Sequence, residues 1–94
     1  MTSKDRAYLR GQANTLEPVC WIGKDGLSDP QIDGIEGVLN TRELIKITIL
    51  ESCEDTVRDI ADEISKRLRA EIVQLIGRKI VIYRKNKDIN RYGV

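Results

Sequence analysis

The clearest feature of the chain is the alternation of apolar and other residues between positions 44 and 50. Ile45, Ile47 and Ile49 fall on one side of an extended backbone, and the intervening residues fall on the other. β-branched residues at every second position are typical of a strand that turns one face to a core. The pattern therefore predicts a strand over residues 44–50.

Helical spacing of apolar residues occurs in three other segments. The first predicted helix covers residues 3–12. The second begins at Ser28, which is placed to cap its amino end, and Gln31 completes a capping box. This helix ends at residues 40–41, where polar side chains replace the apolar repeat.

The third predicted helix opens at Glu54 and Asp55, whose negative charges suit the positive end of a helix dipole. Its last turn is basic, which suits the opposite end. The same spacing predicts a stripe that faces the core, made of Val57, Ile60, Ala61, Ile64 and Leu68.

Three shorter apolar runs complete the predicted secondary structure. Residues 19–22 form a short strand that ends at Gly23. Residues 71–76 and 79–84 form two strands joined by a two-residue turn at positions 77–78, which is the arrangement of a β-hairpin.

The predicted order of elements is therefore α-β-α-β-α-β-β. Strands that alternate with helices and end in a hairpin indicate a two-layer α/β sandwich with a four-stranded mixed sheet. The chain has no internal repeat or linker, so we expect a single domain over residues 1–87, followed by a polar C-terminal tail at 88–94. The chain from Lys85 onward is polar and is expected to be frayed.

Charge is distributed unevenly along the chain, although the formal net charge is only +1. Residues 1–65 carry seven basic and thirteen acidic side chains, a net charge of −6. Residues 66–94 carry nine basic and two acidic side chains, a net charge of +7. Such a split between segments indicates a polyanionic partner.

The composition argues against most catalytic and cofactor sites. The chain has no His, which excludes Ser-His-Asp and Cys-His nucleophile systems and His-ligated metal ions. Cys20 and Cys53 form no short-spaced pair, and the carboxylates of residues 51–55 are interpreted as helix caps. We therefore expect no enzyme, no catalytic residue, no metal, no cofactor and no small-molecule substrate.

The sequence also predicts the compartment of the protein. Its longest apolar run, residues 80–83, is too short to span a bilayer, and residues 1–6 are not followed by the apolar stretch of a signal peptide. Together with two cysteines that have no apparent disulfide role, these features favour a cytoplasmic protein without membrane contact.

The strongest chemical signature is Gly23-Lys24-Asp25-Gly26, which lies between a predicted strand and a capped helix. Glycines let a phosphate approach the backbone closely, Lys24 adds a cation, and the following helix directs N–H groups to the same place. This is the physics by which the GxxG loop of a KH domain clamps a nucleic-acid backbone. The alternative is an ordinary glycine turn, because a second GxxG at residues 34–37 falls inside a predicted helix.

Aromatic residues are too few for the modules that stack several bases. The chain contains one Trp, three Tyr and no Phe, which argues against RRM sheets and single-strand-binding OB folds. Trp21, next to the glycine loop, is expected to anchor the core.

Several short blocks together resemble a known family, the CRM domain (chloroplast RNA splicing and ribosome maturation), and in particular its stand-alone bacterial form, the YhbY family. The resemblance covers roughly residues 3–87. Its blocks are residues 9–11, 16–19, 22–27, 43–47 and 74–84. The chain departs from the family pattern at Cys20-Trp21, where an aliphatic pair is expected, and at Asp25, which makes the loop less basic.

The resemblance implies an RNA-binding protein that associates with precursors of the large ribosomal subunit. It also implies a fold like the C-terminal domain of translation initiation factor three, with an extra N-terminal helix, sheet order 1-2-4-3 and an antiparallel last strand. The family's RNA-binding positions map onto the loop residues Gly23, Lys24, Asp25 and Gly26 and onto the basic residues Arg10, Lys46, Arg78 and Arg84.

We therefore expect a monomeric RNA-binding protein whose partner is ribosomal RNA in large-subunit precursors. The alternative is a protein-interaction module that docks on a ribosomal protein through the acidic surface of residues 29–63. The near-zero net charge favours this alternative, since RNA-binding domains are often more basic.

Overall fold

The structure, a computed structural model, describes residues 1–94 as three helices and four strands in the predicted order. The helices are α1 Ser3–Ala13, α2 Asp29–Arg42 and α3 Val57–Leu68. The strands are β1 Cys20–Ile22, β2 Leu44–Ile49, β3 Glu71–Ile76 and β4 Lys79–Tyr83.

Ser28 caps α2 as predicted, but the capping box is not formed. The Ser28 hydroxyl accepts a hydrogen bond from the backbone N–H of Gln31 at 3.3 Å, which satisfies one free donor of the first turn. The side-chain amide of Gln31 donates instead to the carbonyl oxygen of Trp21 at 2.6 Å. This bond ties the start of α2 to β1, a partner that a local motif does not reveal.

The third helix begins later than predicted. Thr56 is its N-cap, and the Thr56 hydroxyl accepts from the backbone N–H of Asp59 at 3.1 Å. Glu54 and Asp55 precede the helix instead of opening it, because a Thr hydroxyl two or three residues before a free N–H is a better-placed acceptor.

The four strands form one mixed sheet in the order β1-β2-β4-β3. β1 runs parallel to β2, and β4 is antiparallel to both β2 and β3. α2 supplies the crossover that a parallel pair requires, and the turn at Gly77-Arg78 joins β3 to β4. The mixed four-stranded sheet is confirmed, and its order is the one that the family resemblance implies.

The main core lies between one face of the sheet and the helices α2 and α3. Ile45, Ile47 and Ile49 all point into it, as their alternation predicts, and each is at most 1% exposed. The predicted stripe of α3 packs against them, with Ile60, Ala61, Ile64 and Leu68 buried and Val57 at the margin. The sheet and these two helices form the two layers of the sandwich.

α1 packs on the opposite face of the sheet and covers only one end of it. Its Leu9 and Ala13 form a second, smaller core with buried residues of three strands: Leu44, Val73, Val81 and Tyr83. This end of the sheet is therefore enclosed on both faces, whereas the end next to the glycine loop is covered on one face only.

The C-terminal segment is held against the body of the protein, so the expectation of a frayed chain after Lys85 is wrong. The carboxylate of Glu43, which is fully buried, accepts from the backbone N–H of Asn86 at 3.0 Å and from that of Arg91 at 2.7 Å. Tyr92 then packs edge-on against Tyr83, with ring centroids 6.2 Å apart. A buried carboxylate thus finds its partners in the backbone of the segment it anchors.

Candidate nucleic-acid interface

The glycine loop is a tight turn at the carboxyl end of β1. The backbone N–H of Gly26 donates to the carbonyl oxygen of Gly23 at 2.9 Å, and Gly26 has φ +66°, a conformation that side chains disfavour. A β-carbon at Gly23 would lie 3.2 Å from the Ser52 hydroxyl oxygen and 3.3 Å from a methyl group of Leu50. The conformation and packing of the turn therefore explain why both positions are glycine. This explanation applies equally to an ordinary turn and to a phosphate-binding loop.

The loop leaves backbone donors free for a ligand. The N–H groups of Lys24 and Asp25 have no acceptor within the protein. The following helix offers fewer free N–H donors than expected, because the N–H of Gln31 donates to the Ser28 hydroxyl and Pro30 has no N–H. An anion at this turn would thus be held mainly by the loop's own amides.

Carboxylates limit the positive character of the loop. Asp25 lies within it and is exposed, and a β-carbon on Gly26 would lie 3.2 Å from the carboxylate oxygen Oδ2 of Asp55. Lys24, which is exposed, is the cation inside the turn. The field at the loop is therefore mixed, and neighbouring cations are needed to attract a polyanion.

Arg78 is brought to the same edge of the sheet as the loop. Its guanidinium donates to the carbonyl oxygen of Ile49 at 2.9 Å and to that of Leu50 at 2.6 Å. Leu50 is also the side chain next to Gly23, so the hairpin turn and the glycine loop share a neighbour. Arg78 thus fixes the end of β2 with part of its donor set and remains exposed with the rest.

Two other predicted cations lie on the face of the sheet that α1 occupies. Lys46 is half-buried in the middle of β2, opposite Val81 of β4. Arg10 is exposed on α1, which packs near the start of β2 through Leu9 and Leu44. Lys46 therefore lies between the glycine loop and α1. Arg10 lies on α1, farther from the loop.

Arg84 is not brought to the loop. Its backbone N–H donates to the carbonyl oxygen of Glu43, just before β2, whereas the loop lies at the opposite end of the parallel pair β1–β2. Its guanidinium donates to the Glu36 carboxylate at 3.2 Å, to the carbonyl of Leu68 at 2.9 Å and to the Asn40 side chain at 2.6 Å. Arg84 thereby joins the carboxyl ends of α2 and α3 to β4.

Trp21 is the residue whose place differs most from the sequence prediction. It is 53% exposed, so the expectation that it anchors the core is wrong. Ile22, its neighbour on β1, is fully buried, and successive side chains of a strand point to opposite faces. The sequence could indicate that Trp21 and Ile22 point to opposite faces of the sheet, because side chains alternate along a strand. It could not indicate that Trp21 is exposed, because that depends on how far α1 extends over the sheet.

The remaining candidate ligands and thiols are dispersed over the fold. No three His, Cys, Asp or Glu side chains are grouped in a way that could hold a metal ion. Burial raises the pKa of the Cys20 thiol, which keeps it protonated at neutral pH, and Cys53 is buried. No helix of this fold has the length and apolar content needed to cross a membrane.

The fold and the loop edge define a class: small mixed α/β domains with a glycine turn between the first strand and the following helix. This chain belongs to the CRS1 / YhbY (CRM) domain family, whose sequence profile matches residues 1–84. The resemblance drawn from the short sequence blocks is thereby confirmed.

Relatives of similar length carry names that refer to RNA. "Probable RNA-binding protein YqeI" of Bacillus subtilis is 39% identical over 88 residues, which cover 94% of this chain and 92% of the relative. "RNA-binding protein" of Haemophilus influenzae is 33% identical over 88 residues, 94% of this chain and 89% of the relative.

A solved structure has the same fold. The solution structure of the protein SAV1595 from Staphylococcus aureus, described as a candidate RNA-binding protein, matches with a TM-score of 0.79 and 40% sequence identity. The match covers 93% of this chain and 91% of that protein. The arrangement of three helices on a four-stranded sheet is therefore shared with a solved structure over nearly the whole chain.

Proposed function

We propose that this chain is an RNA-binding protein that assists assembly of the large ribosomal subunit. The observation that carries the proposal is membership of the CRM-domain family together with relatives named for RNA binding over nearly their full length. The ribosomal assignment rests on the resemblance to the stand-alone YhbY form of the domain. We further propose that the protein acts as a single copy, in the cytoplasm.

The glycine loop provides the contact to the RNA backbone in this proposal. The unpaired N–H groups of Lys24 and Asp25 donate to a phosphate oxygen, and the lack of side chains at Gly23 and Gly26 lets the phosphate approach. This contact reads the sugar-phosphate chain and no base edge, so it positions the RNA without specifying its sequence.

Cations near the loop supply most of the electrostatic attraction. Lys24 and Arg78 lie at the loop edge, and Lys46 extends the positive surface along β2. Arg10 adds a more distant cation on α1. Arg84 lies at the other end of the sheet and contributes only its charge, because its side-chain donors are engaged within the fold. Binding should accordingly depend strongly on salt concentration.

Replacement of Lys24 tests this mechanism. Lys24→Ala is expected to weaken binding to unrelated RNA sequences by a similar factor and to reduce the slope of log K against log salt by about one, because one phosphate contact is lost. Lys66→Ala is the matched control, since Lys66 is an exposed lysine of α3 without an ion pair and lies on the layer away from this face. Fluorescence anisotropy with labelled RNAs at several salt concentrations measures both quantities.

The opposite outcome would be a change of sequence preference with an intact salt slope. Lys24 would then read a base, and the proposed backbone contact would be wrong. Equal effects of Lys24→Ala and Lys66→Ala would mean that only overall charge matters, which also contradicts a specific contact at the loop.

A further inference from the structure

The strands project a continuous row of side chains across the part of the sheet that α1 leaves open. Trp21 of β1 pairs with Thr48 of β2, Thr48 pairs with Lys79 of β4, and Lys79 pairs with Ile76 of β3. Their strand neighbours Ile22, Ile49 and Ile80 point into the main core, so the row faces the other side of the sheet.

The apolar members of this row are unusually exposed for their size. Trp21 is 53% and Ile76 is 57% exposed, and Leu50, which follows β2 on the same face, is 42% exposed. The backbone under the indole ring is nevertheless fixed, because Ile22 is fully buried and the Gln31 amide holds the Trp21 carbonyl at 2.6 Å. The fold therefore presents a flat aromatic group to solvent from a well-anchored strand.

The charge of this open surface has one sign. The open part of this face carries the cations Lys46 and Lys79 and no strand carboxylate. The one carboxylate that the strands project on this face, Glu71, lies at the end covered by α1 and pairs with Arg6. The nearest acidic groups of the loop edge, such as Asp25 and Asp55, belong to turns outside the strands. Trp21 lies on the edge strand β1, and both lysines lie on the same side of it, on β2 and β4. An aromatic plane beside ammonium groups suits a ligand that combines flat rings with negative charge.

We infer that this open sheet face binds a single-stranded segment of RNA, with one base stacked on Trp21 and the adjoining phosphates held by Lys79 and Lys46. The inference rests on the proposed RNA binding and adds the form of RNA that is bound. Base faces are accessible only where nucleotides are unpaired, so a duplex does not meet the requirement.

The distance from Trp21 to the glycine loop allows one strand of RNA to contact both. Gly23 is two residues beyond Trp21, which corresponds to about 7 Å along an extended strand. Stacked nucleotides advance by about 3.4 Å each. A strand stacked on Trp21 therefore reaches the loop within about two nucleotides.

The fluorescence of the protein reports directly on this contact, because Trp21 is its only tryptophan. We expect a short single-stranded oligoadenylate to quench the emission of Trp21. Heparin, a polyanion without bases, should bind the cations and leave the emission unquenched. Anisotropy of a fluorescein-labelled oligoadenylate measures binding independently of the indole.

Substitution at position 21 separates stacking from charge. Trp21→Leu is expected to weaken oligoadenylate binding by about 5- to 150-fold, the range for loss of one stacked base, whereas Trp21→Phe should retain most of the affinity. Tyr8→Leu is the control, since Tyr8 is an aromatic residue of α1, 45% exposed and outside the row. Circular dichroism confirms that each variant is folded.

Three results overturn the inference in distinguishable ways. In the first, the anisotropy shows that oligoadenylate binds, but Trp21 emission is not quenched and Trp21→Leu binds with the affinity of the wild type. RNA then binds elsewhere, and the proposed function stands without this site. If the wild-type protein gives no anisotropy change, the proposed RNA binding fails as well. If Trp21 emission changes with protein concentration alone, and sedimentation shows a dimer, a second copy of the chain occupies the face.

Discussion

Single buried polar groups influence the stability of this small fold, and Tyr83 shows how. Its side chain lies in the smaller core, 5% exposed, and its hydroxyl has no hydrogen-bond partner within the protein. Burial raises the pKa of Tyr83, and the nearby charges of Glu43 and Asp5 raise it further. The fold therefore favours the neutral phenol over the phenolate.

This environment predicts the pH dependence of a Tyr83→Phe variant. At pH 7 its free energy of unfolding should differ from that of the wild type by less than about 1 kcal/mol, because the hydroxyl gains no hydrogen bond in the fold. Since the folded-state pKa is raised, the unfolded chain loses the phenol proton first as the pH rises. The stability that neutral Tyr83 contributes is thus present below about pH 10 and is lost above it.

Urea unfolding at neutral and alkaline pH measures this difference. Tyr83→Phe should lose less stability than the wild type above about pH 10, whereas Tyr8→Phe, at an exposed position, should follow the wild type. An equal alkaline loss in the wild type and in Tyr83→Phe would contradict the account of Tyr83.

The roles of individual cations could be predicted only in part. Arg84 looks like a free basic residue in the sequence, but its partners Glu36 and Asn40 lie 48 and 44 positions away. Trp21 presents the same difficulty, since its exposure depends on the limited reach of α1 across the sheet. The glycine loop and Lys24 could be identified from the sequence because they form one local motif.

At the level of elements, the spacing of apolar residues predicted which side chains of a helix or strand face the core. The alternation of β2 and the stripe of α3 placed the core residues correctly, because both periods follow from backbone geometry. The docking of the C-terminal segment was missed, since the Glu43 carboxylate meets the N–H groups of Asn86 and Arg91 43 and 48 positions later. Nothing in the sequence near Glu43 distinguishes it from an exposed glutamate.

The anchoring of the C-terminal segment can be tested by removing the carboxylate of Glu43. Glu43→Ala should lower the free energy of unfolding by about 2 kcal/mol, because hydrogen bonds to a charged group are worth about 1.5–3 kcal/mol each and the released segment regains hydration. Hydrogen exchange at the amides of Asn86 and Arg91 should accelerate sharply, while exchange at β4 amides such as that of Ile82 should remain slow.

Glu63→Ala is the control for this experiment. Glu63 makes an exposed ion pair with Arg67, so its loss should change the free energy of unfolding by no more than about 0.5 kcal/mol. Unchanged protection of the Arg91 amide in Glu43→Ala would show that the segment is held by the packing of Tyr92 rather than by the carboxylate.

The whole molecule combines a closed end and an open end. At the closed end, α1, Glu43 and the C-terminal segment cover the start of β2. At the open end lie the glycine loop, the hairpin turn with Arg78 and the uncovered sheet face with Lys46. The near-zero net charge of the chain therefore conceals a local surface that suits a polyanion.

The central claim, RNA binding within large-subunit assembly, is tested most directly by sedimentation of the tagged protein from cell lysate through sucrose gradients at low and high salt, with and without RNase. The proposal predicts that the protein travels with free large-subunit particles at low salt and is released by high salt or by RNase. Persistence on the particles after RNase would favour docking on a ribosomal protein through the acidic surface of residues 29–63. A protein that stays at the top of the gradient under every condition would contradict the ribosomal role.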